Sequence, residues 1–92
     1  MQAFWKGTLV ADSSNTITLD GNIYFPKASL KYDFFRESPD STYCGVKGKA
    51  RYWDLIVDGQ LKANAAWSYE SPKEEAEKIR GMVSFSKELD VN

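Results

Sequence analysis

The dipeptide Asp20-Gly21, set between two short alternating runs, is the feature that most limits how this chain folds. Thr16-Ile17-Thr18-Leu19 alternates strictly, and Asn22-Ile23-Tyr24-Phe25 resumes after only those two residues. Such a pattern predicts a hairpin with a two-residue turn, in which Ile17 faces Tyr24 as an aromatic–β-branched pair. Pro26 has no N–H to donate and ends the ladder. A second Asp-Gly, Asp58-Gly59, closes the longest strand candidate, Lys47 to Val57. Beyond Tyr52 both faces of that strand turn apolar, which implies burial on both sides or a bulge.

The other β signals are Phe4 to Ala11, with Gly7 inside it, Lys31 to Arg36, and Met82 to Phe85. Lys27 to Leu30 reads as a single turn, and Glu37 to Thr42 reads as a loop by composition. One helix is expected, beginning at Ser71. Ser71-Pro72-Lys73-Glu74 offers an N-cap serine, proline at the first helical position and the glutamate of a capping box, and Gly81 is placed to stop the helix. With 92 residues there is room for one domain, spanning 1–92. The expected class is mainly β (α+β by content), a compact curled antiparallel sheet with one short helix in its C-terminal half.

Composition excludes much chemistry. The chain has no histidine, which removes imidazole metal sites and serine– or cysteine–histidine pairs. A single cysteine, Cys44, excludes an internal disulfide and Cys-x-x-Cys sites, and it suits a reducing compartment, so the cytoplasm is the expected location. No apolar run approaches the length of a membrane span. Twelve basic and thirteen acidic side chains leave a net charge of -1, a balance that attracts neither nucleic acid nor anionic lipid. The expected partner is a small molecule or another protein, and no cofactor or metal is implied.

Five ordered motifs resemble the domain-of-unknown-function 427 family of small bacterial proteins. They are Trp5-x-Gly7 with Ala11; Tyr24-Phe25-Pro26; Thr42-x-Cys44-x-x-Lys47-Gly48-x-Ala50-x-Tyr52-Trp53; Ala66-Trp67-x-Tyr69-x-x-Pro72; and Ile79-x-Gly81-x-Val83-x-Phe85. The resemblance implies a compact β domain of β-tent-like architecture, also seen in the methionine-R-sulfoxide reductases. Zinc-bearing relatives of that fold use paired cysteines, which this chain lacks, so no metal carries over. The family usually has proline and an aromatic after the cysteine, where Gly45-Val46 stands here, and often an aromatic where Ser86 stands. The first departure loosens the turn that holds Cys44. A nucleotidyltransferase label attached to the family finds no supporting motif: neither a Gly-Ser with a following Asp-x-Asp pair nor a phosphate-cradling glycine loop is present.

Two readings of the candidate residues compete. In the first the domain binds a small, anionic ligand or a protein partner through an aromatic-lined site of Lys47, Tyr52, Trp67 and Tyr69. In the second it is an enzyme, with Cys44 as nucleophile or redox thiol and Lys47 as its electrostatic partner. Lys47 and Tyr52 fall on opposite faces of a regular strand, so convergence of all five residues requires Lys47 at the strand's mouth or a bulge between the two. Lys47, Lys49 and Arg51 share one face in that regular reading and suit a small anion better than a polymer. The carboxylates Asp33, Glu37 and Asp40 read as surface charge.

Overall fold

The computed structural model describes residues 1–92. The protein is mostly β, 55% strand and 13% helical, and every strand pairing is antiparallel. The strands are β1 (Gln2–Trp5), β2 (Thr8–Asp12), β3 (Ile17–Leu19), β4 (Asn22–Tyr24), β5 (Phe35–Cys44), β6 (Gly48–Val57), β7 (Gln60–Ser68), β8 (Val83–Phe85) and β9 (Asp90–Val91). They form three sheets, ordered β2-β1-β9, β3-β4 and β5-β6-β7-β8. Phe25 and Val83 exchange both backbone hydrogen bonds (2.7 and 2.8 Å), which ties the β3–β4 hairpin to the four-stranded sheet.

The expected hairpin is present in the expected register, with Ile17 opposite Tyr24. Asp20 and Gly21 both take positive φ (53° and 78°), as a tight hairpin turn requires. Asp58-Gly59 repeats this geometry between β6 and β7. So does Lys6-Gly7, and there the expectation of one strand from Phe4 to Ala11 is overturned. With φ of 49° and 82°, Lys6 and Gly7 fold the segment back on itself as β1 and β2. Lysine at the first turn position is not a hairpin signal, so only Gly7 hinted at the reversal.

Two further boundaries shift. Tyr32–Phe34 is a 3₁₀ turn, so the strand expected from Lys31 begins only at Phe35. The expected loop at 37–42 is instead strand, with a bulge between Glu37 and Ser41. β5 is a sheet edge and mostly exposed, so burial demands no apolar residues of it, and Pro39 is tolerated at the bulge. The bulge expected after Tyr52 is present, where the pairing of β6 and β7 slips between Trp53 and Leu55.

The expected helix does not form. Glu74–Ile79 makes 3₁₀ turns interrupted at Ala76 (φ -117°, ψ 18°), begun by Lys73 without a side-chain cap. Only Ala76 and Ile79 of this stretch are buried, too narrow an apolar stripe to drive a helix of several turns. The segment is held instead by a tertiary contact, Lys73 N–H donating to the Lys47 carbonyl at 3.0 Å. Gly81 does have the left-handed φ expected of it, 70°.

Two packed clusters fill the interior. The larger has thirteen buried residues, including Phe25, Leu55, Val83 and Phe85, with the Phe25 and Phe85 rings edge-to-face at 5.3 Å. The smaller consists of Tyr24, Ala50, Tyr69, Ala76 and Ile79. Tyr24 and Phe25 are both fully buried yet belong to different clusters, because successive residues of an extended chain point to opposite sides.

Candidate functional site

Cys44 ends β5, and Gly48, paired with it, begins β6; Gly45, Val46 and Lys47 make the turn between them. Gly48 has φ of 105°, and a Cβ there would stand 3.4 Å from the Ser71 carbonyl oxygen and 3.7 Å from Pro72 Cα. The close approach lets the 71–73 segment grip the turn. Besides the Lys73 N–H bond to Lys47, the Lys73 ammonium donates to the Gly45 carbonyl at 2.7 Å. Its Nζ also lies 5.2 Å from the centre of the exposed Tyr43 ring.

Two backbone N–H groups of the turn lie near the thiol. The N–H of Lys47, then that of Val46, hold the Cys44 thiol below its ordinary pKa against the opposing effect of partial burial, and the Lys47 ammonium adds to this. Lys47 is only 9% exposed, and its Nζ lies 3.2 Å from Asp20 Oδ2 at the tip of the β3–β4 hairpin. Burial alone would favour the neutral amine, but the Asp20 carboxylate and the phenols of Tyr24 and Tyr69 keep the ammonium above its ordinary pKa. Tyr69 is raised, by burial first and then by Tyr24 nearby, with Lys47 pulling the other way. The Tyr24 hydroxyl is buried without a hydrogen-bond partner.

Cys44, Tyr52 and Trp67 pack against the small cluster that contains Tyr69. Tyr52 and Trp67 face each other across β6 and β7, and the Tyr52 hydroxyl is 2.9 Å from Thr42 Oγ1. Lys47 reaches the same group from the strand's mouth, one of the two arrangements that convergence allows. A regular strand would align Lys47 with Lys49 and Arg51, but the turn and Gly48 send Lys47 inward while Lys49 and Arg51 stay exposed. Asp20 and Tyr24 were read from the sequence only as turn and hairpin residues. Nothing in the sequence signals that the hairpin docks its tip onto the Cys44 turn.

The two surface cavities lie away from these rings. One is a groove of about 330 Å³ beside the β5 bulge, and the other, about 230 Å³, runs between Gly21–Ile23 and Ser84–Lys87. The rings are therefore wall and floor of the core around the thiol. Chemically, the group offers a thiol whose anion the turn and the Lys47 ammonium favour, with the Tyr69 phenol close enough to feel both.

The whole chain, residues 1–92, matches the family described as domain of unknown function (DUF427), and the protein belongs to that family. A comparison with curated proteins finds no match. No helix of the protein is long and apolar enough to cross a membrane.

Proposed function

We propose that the domain works through Cys44 as a thiolate nucleophile, with Lys47 as its electrostatic partner, on a small molecule that carries an electrophilic carbon or sulfur. The observation behind this reading is the turn itself: two backbone N–H groups and a largely buried ammonium all favour the anion on Cys44. Low pKa together with partial exposure is what separates a reactive thiol from a structural one. In attack on a disulfide, the thiolate forms a new S–S bond to one sulfur, and the other sulfur leaves as a thiolate.

The native protein is incubated with glutathione disulfide at pH 7 and the adduct on Cys44 is followed by mass spectrometry. The expected result is faster modification of the native protein than of the same protein in urea. Modification that needs denaturant would remove the proposal. The other reading, non-covalent capture of a small anionic ligand or a protein partner by Lys47, Tyr52, Trp67 and Tyr69, has no such observation behind it, since neither surface cavity is lined by these residues.

A further inference from the structure

Lys73 stands outside the cluster that borders Cys44, yet it touches the Cys44 turn twice. Its N–H donates to the Lys47 carbonyl at 3.0 Å, and its Nζ donates to the Gly45 carbonyl at 2.7 Å. The ammonium also lies 5.2 Å from the centre of the Tyr43 ring, so carbonyl and ring both hold it in place. The first bond belongs to the backbone and survives a change of side chain. The second depends on the side chain alone.

The Gly45 carbonyl is the oxygen of the peptide unit whose nitrogen is that of Val46. That unit is planar and trans, so its C=O and N–H point in opposite directions and rotate together. Holding the oxygen on Lys73 therefore sets where the Val46 N–H points, and that N–H is one of the two lying near the thiol. Gly45 makes such a restraint useful. It has no side chain, and a Cβ there would meet nothing within 4 Å, so packing does not limit rotation of this peptide. A cation on the carbonyl also polarises the unit and makes its N–H a stronger donor.

The charged and titratable groups around the thiol are Lys47 within the turn, Asp20 from the β3–β4 hairpin, Tyr69 after β7, and Lys73 with Glu75 near it. Lys47 is committed to Asp20 at 3.2 Å, whereas Lys73 bonds the backbone of the turn. We propose that Lys73 is a positioning residue for Cys44, its side chain orienting the Gly45–Val46 peptide so that the Val46 N–H faces the sulfur. The inference rests on the reading of Cys44 as a reactive thiol and adds the side chain that holds its turn in the reactive form.

The test is the pH–rate profile of Cys44 alkylation by iodoacetamide, a neutral reagent, in the full-length parent, Lys73→Met and Lys73→Arg. Lys73 is exposed, and methionine keeps its aliphatic stem and backbone N–H but cannot donate to Gly45. Lys73→Met should slow alkylation at pH 7 about threefold without lowering the plateau rate at high pH, because only the thiolate fraction falls. Lys73→Arg, which can still donate, should restore most of the parent rate. The loss in Lys73→Met should persist in about 1 M sodium chloride, where the screening length is ~3 Å and the through-space pull of an exposed ammonium is gone. A Lys73→Met profile that overlays the parent's, a loss that disappears in salt, or no recovery in Lys73→Arg would overturn the inference while leaving the reactive thiol standing. A parent thiol that titrates at or above its ordinary 9.0 would remove both.

Discussion

The larger core cluster gathers thirteen residues from both ends and the middle of the chain, none of them charged, while the smaller one gathers five around two phenols, with a thiol and a buried ammonium at its border. The first is held by apolar area and close packing, which is insensitive to pH and to any single polar group. The second pairs packing with ionisable heads that must find partners: Lys47 finds Asp20, and Cys44 finds the N–H groups of Lys47 and Val46. The lesson is a division of labour, with apolar packing concentrated in one half of the interior and ionisable groups in the other.

Substitutions should separate the two halves. The largest effect is expected in the first cluster: Leu55→Ala, fully buried, should cost about 2–5 kcal/mol in a urea titration, with the thiol's titration unchanged in the folded protein. Next comes Gly48→Ala, which forces a side chain into φ of 105° against the Ser71 carbonyl and should cost roughly 1–3 kcal/mol. Unlike Leu55→Ala, it should also raise the thiol pKa, because it displaces the turn that supplies the N–H donors. If the thiol moves with Leu55→Ala and not with Gly48→Ala, the division between the halves fails.

The pH dependence of stability should come from the second cluster. Tyr69 and Lys47 both have raised pKa values in the folded state, so their contribution is complete below their ordinary values of 10.0 and 10.5 and is lost as pH rises through the higher folded ones. Cys44 is the reverse case: its lowered pKa contributes stability that is complete above the ordinary 9.0 and lost as pH falls through the folded value. Chemical denaturation across this range should therefore show Tyr69→Phe losing less stability than the parent above pH 10, and Cys44→Ser lacking the parent's gain on approach to pH 9. Profiles parallel to the parent in both variants would contradict these assignments.

The smallest effect is expected at Ser71. Its side chain caps no helix, so Ser71→Ala should stay within about 0.5 kcal/mol of the parent in denaturant midpoint. A loss near 1 kcal/mol would restore the cap that the sequence suggests.

That contrast between Ser71 and Gly48 also marks what was legible in the sequence. Local chemistry that acts within a few residues could be read: Asp20-Gly21 with its Ile17–Tyr24 register, the bulge after Tyr52 and the left-handed Gly81. The β5 edge was hidden because an exposed edge strand has no burial pattern to display. The helix was misread because its capping residues are real signals that a tertiary contact, Lys73 to Lys47, overrides. In the candidate site, Cys44, Tyr52, Trp67 and Tyr69 lie within or against the small cluster and Lys47 faces it, whereas Asp20 and Tyr24 enter only because a hairpin remote in sequence docks there. Docking of that kind leaves no periodicity to find.

The central claim is that the Cys44 turn stabilises a thiolate, and the pH–rate profile of Cys44 alkylation by iodoacetamide tests it most directly, in the parent and in Lys47→Met. The parent thiol should titrate below its ordinary value of 9.0, and Lys47→Met should raise that pKa only part of the way back, because the backbone N–H groups favour the anion more than the ammonium does. A native thiol that titrates at or above that ordinary value, or that reacts only after unfolding, would contradict the account.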